Sequence, residues 1–106
     1  MALPKKNRLV KKADFDRVFK EGKTVKGSFL FIKLLKNEIG PRVGIVIAKR
    51  IYPMAVKRNN LKRVISDIVY SLLNKKTFNY DMVVVITRKN NNKDMMSEVV
   101  KLLNKI

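Results

Sequence analysis

Met82-Val83-Val84-Val85-Ile86 is an unbroken apolar run, mostly β-branched, bounded by Asp81 and Thr87. A strand with one wet face alternates polar and apolar residues. A short run without alternation suits a strand covered on both sides, so this chain needs a sheet with helices packed on it. Residues 42–48, Arg-Val-Gly-Ile-Val-Ile-Ala, form a second apolar run, and a helical pattern separates the two. A strand-helix-strand passage over residues 43–86 implies a parallel pair.

The remaining segments read in the same way. Residues 13–21 place apolar side chains at i, i+3 and i+4, with acids early and Gly22 as the stop, which predicts a short helix with a glycine C-terminal cap. Residues 28–35 are rich in aromatic and branched side chains and end at a Gly40-Pro41 turn before the 42–48 run, so these two strands are expected to be antiparallel neighbours. Pro53 breaks regular structure ahead of a helix whose expected core stripe is Leu61, Val64, Ile65, Ile68 and Leu72. Met95, Met96, Val99, Val100, Leu103 and Ile106 outline a last amphipathic helix. The expected order is α-β-β-α-β-α, with room for a further short strand at Thr24 to Lys26. The class is α/β, an α+β sandwich around a small sheet of about four strands. At 106 residues and 46% hydrophobic content, the whole chain is expected to form one domain, with a basic arm over about residues 1–12.

Charge narrows the function. Lys plus Arg number 25 against 8 Asp plus Glu, a net charge of +17. Between Ile39 and Ser66 there are seven basic residues and no acid, and the helix face carrying Arg58, Asn59, Lys62 and Arg63 adjoins the apolar stripe. Such a helix suits a polyanion, and nucleic acid is the first candidate. The chain contains no Cys and no His, so disulfides, thiol chemistry and the commonest transition-metal ligands are missing. The acids offer no converging set for Mg²⁺, and the four glycines fit neither phosphate-loop spacing. A self-contained active site is not expected. No signal peptide or run of ~18 apolar residues is present, which leads to the expectation of a cytoplasmic protein without a membrane partner. Phe15 and Phe19, at i and i+4, share one side of a helix; their spacing fits core packing and also fits stacking on single-stranded bases. Phe29 and Phe31 are expected on one sheet face, with the same two readings. A structural or ribosomal RNA-binding protein shares this charge and size; a duplex DNA module fits less well without a helix-turn-helix pair, and an anionic-membrane binder least, because the basic helix needs its apolar face for the core.

Several segments, in order, resemble the protein subunit of bacterial ribonuclease P. They are Arg8-Leu9, Asp14-Phe15-Asp16-Arg17-Val18-Phe19-Lys20-Glu21-Gly22, Arg42-Val43-Gly44, Lys49-Arg50, Ala55-Val56-Lys57-Arg58-Asn59-Asn60-Leu61-Lys62-Arg63, and the strand from Asp81 to Arg88. Asn60 and Ser66 stand where the family usually has arginine, and Tyr52-Pro53-Met54 replaces a Gly-Asn pair. The resemblance implies a subunit of a ribonucleoprotein endonuclease that removes the 5′ leader of precursor tRNA. The catalytic centre and its Mg²⁺ then lie in the RNA, with no cofactor held by protein ligands alone and no protein partner required. It implies that Arg50, Lys57, Arg58, Asn59, Asn60, Lys62 and Arg63 meet the catalytic RNA. Phe15, Phe19, Phe31 and Arg88 would line the leader groove, and Lys5, Lys6, Arg8, Lys12 and Lys49 would add RNA contacts. It also implies a left-handed parallel crossover, an exception to the usual hand.

Overall fold

In a computed structural model of the chain, the described residues are 8, 9, 11–38, 40–73, 79–89 and 92–104. They form α1 (Lys12–Glu21), β1 (Lys23–Lys26), β2 (Leu30–Lys36), β3 (Arg42–Ile47), α2 (Ala55–Leu73), β4 (Tyr80–Ile86) and α3 (Asn92–Asn104). Lys5, Lys6 and Ile106 lie outside the described residues, as does the side chain of Leu72.

The apolar run is β4, and it takes an interior place in a sheet of order β1-β2-β4-β3. It pairs antiparallel with β2 and parallel with β3. The parallel pair is as expected, but β2 and β3 are not neighbours, because β4 inserts between them. Met82, Val83 and Val84 each retain at most 1% exposure, and only an interior strand can hide both of its faces to that degree. The edge left on β3 receives the N-terminal segment, where Leu9 N–H donates to the Val43 carbonyl at 2.9 Å.

The two faces carry different helices. On one, Leu30, Ile32 and Leu34 of β2, Val43 and Ile47 of β3, and Met82, Val84 and Ile86 of β4 form the main core with α2 and α3. Helix α2 contributes Leu61, Ile65 and Val69, each worth about 1.5–3 kcal/mol on burial. The stripe therefore runs through Val69, while Val64 is only half-buried. Helix α3 contributes Met95, Val99, Leu102 and Leu103, and Met96 is exposed. On the opposite face α1 covers a smaller core of Leu9, Val18 and Val83, flanked by Phe15, Leu35, Val46 and Val85.

Gly22 ends α1, although not through a left-handed cap: its φ of −76° and ψ of 157° are extended. A Cβ there would run into the Val18 carbonyl oxygen and come within 2.8 Å of the Leu34 carbonyl oxygen. Glycine is required because the end of the helix lies directly on the β2 backbone.

Candidate nucleic-acid interface

Cross-strand partners share a sheet face, so the register fixes what α1 looks down upon. Three successive rows face it. They are Arg42, Asp81 and Leu35; then Gly44, Val83, Lys33 and Thr24; then Val46, Val85, Phe31 and Lys26. Helix α1 occupies the first two rows. The Phe15 ring sits on Gly44, where a Cβ would overlap it, and Val18 packs with Val83. The third row is left as a partly open floor, its three apolar members half-buried and Lys26 exposed. Phe19, one turn beyond Phe15 on the same side of α1, is 37% exposed. Phe15, Phe19 and Phe31 are thus brought to one side of the sheet. Phe29 is not: it precedes β2 in a bend and packs against the main core.

An ion cluster fastens α1 at the first row. Asp81 is 1% exposed; Arg42 Nε donates to its Oδ1 at 2.8 Å and Arg42 Nη2 to its Oδ2 at 2.8 Å, while Asn37 Nδ2 donates to Oδ1 at 2.6 Å. From α1, Asp14 Oδ2 lies 3.4 Å from Arg42 Nη1, and Arg17 Nη2 lies 3.0 Å from Asp14 Oδ1 and 3.8 Å from Asp81 Oδ2. The hydrogen bonds to Asp81 raise the pKa of Arg42 above its already high value, against the opposing effect of burial. Arg42 therefore counts as an internal ion-pair member and not as part of the basic surface. Sequence reading missed this role, and the signal available was an acid, Asp81, at the mouth of an apolar strand that is buried along most of its length.

Two cationic pairs lie at the other end. Because β3 and β4 run parallel, both leave the sheet beside the Val46–Val85–Phe31 row, and there the exposed pairs Lys49–Arg50 and Arg88–Lys89 emerge. Backbone N–H groups of Thr87 and Arg88 donate to the Phe29 carbonyl at 2.8 and 3.0 Å, which ties the exit of β4 to the entry of β2. The chain then enters α2, whose first turn contains no acid. Lys57, Asn59, Asn60, Lys62 and Arg63 are exposed, and Arg63 Nη2 donates to Asn60 Oδ1 at 3.0 Å. Arg58 is different. It is half-buried, and its Nη1 donates to the carbonyls of Tyr52 and Pro53, both at 2.8 Å. It braces the loop ahead of the helix. Arg8 and Lys12 are exposed near the start of α1.

No group of three or more His, Cys, Asp or Glu residues suited to a metal ion occurs among the described residues. No helix among them is long and apolar enough to cross a membrane.

The family described as Ribonuclease P matches residues 3–106. A ribonuclease P protein component of Pseudanabaena sp. is 36% identical over 87 residues, covering 80% of this chain and 75% of that protein. The component of Desulforapulum autotrophicum is 34% identical over 111 residues, covering 99% and 92%. Among solved structures, the Staphylococcus aureus RNase P protein superposes with a TM-score of 0.82 at 25% identity, covering 93% of this chain and 94% of that one. The Thermotoga maritima RNase P protein gives 0.81 at 26% identity, covering 93% and 96%.

Proposed function

The chain belongs to the ribonuclease P protein family, and on that premise we propose that it joins two RNAs across one end of its sheet. As a subunit of the ribonucleoprotein that processes tRNA 5′ ends, it has one surface for the catalytic RNA and another for the single-stranded leader of precursor tRNA. Lys57, Asn59, Asn60, Lys62 and Arg63 of α2, with Arg50, meet the catalytic RNA. The charges of Arg50, Lys57, Lys62 and Arg63 displace condensed counterions from its phosphates. The leader lies on the Val46–Val85–Phe31 floor beside Phe15 and Phe19. Unstacked bases find aromatic faces there, and Lys49 and Arg88 meet their phosphates.

The observation that carries this reading is the coincidence at one sheet end. An aromatic-lined floor and two cationic pairs leave parallel strands together, and the strand β3 side leads directly into the basic helix. A single-stranded nucleic acid needs that combination of π-faces and fixed cations. Asp14 and Asp81 on this face are both engaged by arginines, which suits a protein whose Mg²⁺-dependent step is carried out by the RNA.

Phe19→Ala tests the leader site. The ring is exposed enough that its removal is expected to leave the melting temperature nearly unchanged. In the complex with ribonuclease P RNA, affinity for precursor tRNA should fall by about 1–3 kcal/mol, with affinity for leaderless tRNA unchanged. Equal losses for both substrates would remove the leader reading.

A further inference from the structure

Apart from Phe19 and Met96, the exposed large hydrophobic side chains among the described residues are Met54, 58% exposed, and Val56, 75% exposed. They stand two residues apart where the loop becomes α2, inside the acid-free stretch between Ile39 and Ser66 and next to Lys57. The core has no use for either, since the buried stripe of α2 begins at Leu61. Hydrogen bonds brace their support. Arg58 Nη1 holds the carbonyls of Tyr52 and Pro53, Tyr52 is 7% exposed, and the Met54 carbonyl accepts the Arg58 N–H at 3.1 Å.

We infer that Met54 and Val56 form an apolar contact within the basic surface, seated against nucleobase or ribose faces of the catalytic RNA. This rests on the proposed docking of α2 on that RNA. Charge selects the occupant: the flanking Arg50 and Lys57 favour a polyanion, and the apolar faces that a polyanion of this kind can present are those of its bases and sugars. Cations alone grip any phosphate array, whereas an apolar contact needs an accessible base or sugar at one place and so selects a register. Because the loop is already braced, little ordering cost accompanies the contact.

The test is a salt titration of binding to ribonuclease P RNA with the double variant Met54→Gln/Val56→Thr, beside Lys57→Ala. Both positions are exposed, and circular dichroism should show an unchanged fold. The double variant is expected to bind roughly tenfold more weakly at every salt concentration, with the log-log slope of the unaltered protein, because only apolar burial is removed. Lys57→Ala should instead reduce the slope by about 1. Affinity within about twofold of the unaltered protein would overturn the inference, as would a reduced slope in the double variant. A dimer of the free protein that the double variant dissolves in sedimentation would assign the pair to self-association and overturn it too. If the unaltered protein itself fails to bind this RNA, the docking of α2 fails, a result distinct from normal binding that is indifferent to the pair.

Discussion

Replacing Arg42 with alanine should destabilise this protein more than removing any other basic side chain described. The guanidinium makes two bonds of 2.8 Å to a carboxylate that is 1% exposed, and a third contact of 3.4 Å to Asp14. Without it, Asp81 keeps Asn37 at 2.6 Å and only a longer contact, 3.8 Å, with Arg17, whose side chain is 50% exposed. Stripping one partner from a buried pair costs about 3–5 kcal/mol, because the remaining charge stays buried without a cation at bonding distance. Against a total of about 5–15 kcal/mol for a domain of this kind, that is a large fraction, and it corresponds to a fall in melting temperature of roughly 13–22 °C. Arg17→Ala, which removes an exposed pair, should cost about 0–1 kcal/mol. Urea titrations followed by circular dichroism would measure both, and Asp81→Asn combined with Arg42→Ala should recover part of the loss. A cost below about 1 kcal/mol for Arg42→Ala would refute the reasoning, since Asp81 would then be satisfied by other means.

The same structure separates side chains that look alike in sequence. Lys62→Ala should weaken binding to the catalytic RNA and lower the salt slope by about 1 without affecting folding. Arg58→Ala should disturb the loop at Tyr52 and Pro53 as well, seen as lower protection of those amides in hydrogen exchange; unchanged protection would show that the brace is dispensable. Gly44→Ala should push the Phe15 ring off the sheet, costing about 1–3 kcal/mol of stability and weakening precursor tRNA more than leaderless tRNA. Equal tRNA affinities before and after the change would separate Phe15 from the leader site.

How much of this could be read from the chain depended on range. β4 announced itself because an apolar run without alternation has few other uses, and α2 did so because its stripe and its charges keep a helical period. The parallel β3–β4 pair followed from the helix between them. The insertion of β4 between β2 and β3 did not follow, because strand order is decided by which strand gains most from burial on both faces. Nor did the roles of Arg42 and Arg58. In sequence both belong to one basic stretch; in space one meets Asp81, 39 residues away, and the other meets two carbonyls. The aromatics proposed for the leader side were legible in part. Phe15 and Phe19 share a helix side by spacing alone, whereas Phe31 joins them and Phe29 does not because β2 begins at Leu30. Gly22 is legible as a stop, but its cause, contact with the Leu34 backbone, depends on how β2 lies under the helix and not on the local pattern.

The measurement that bears most directly on the central claim is cleavage of precursor tRNA by ribonuclease P RNA at a Mg²⁺ concentration too low for the RNA alone. Addition of this protein should restore release of the 5′ leader. The gain should be lost in stages, through weaker substrate binding with Phe19→Ala and through weaker assembly with Lys62→Ala. The protein without the RNA should cleave nothing. If leader release is no faster with the protein than without it, although the two bind, the chain is a passive RNA-binding domain and the two-surface account is wrong.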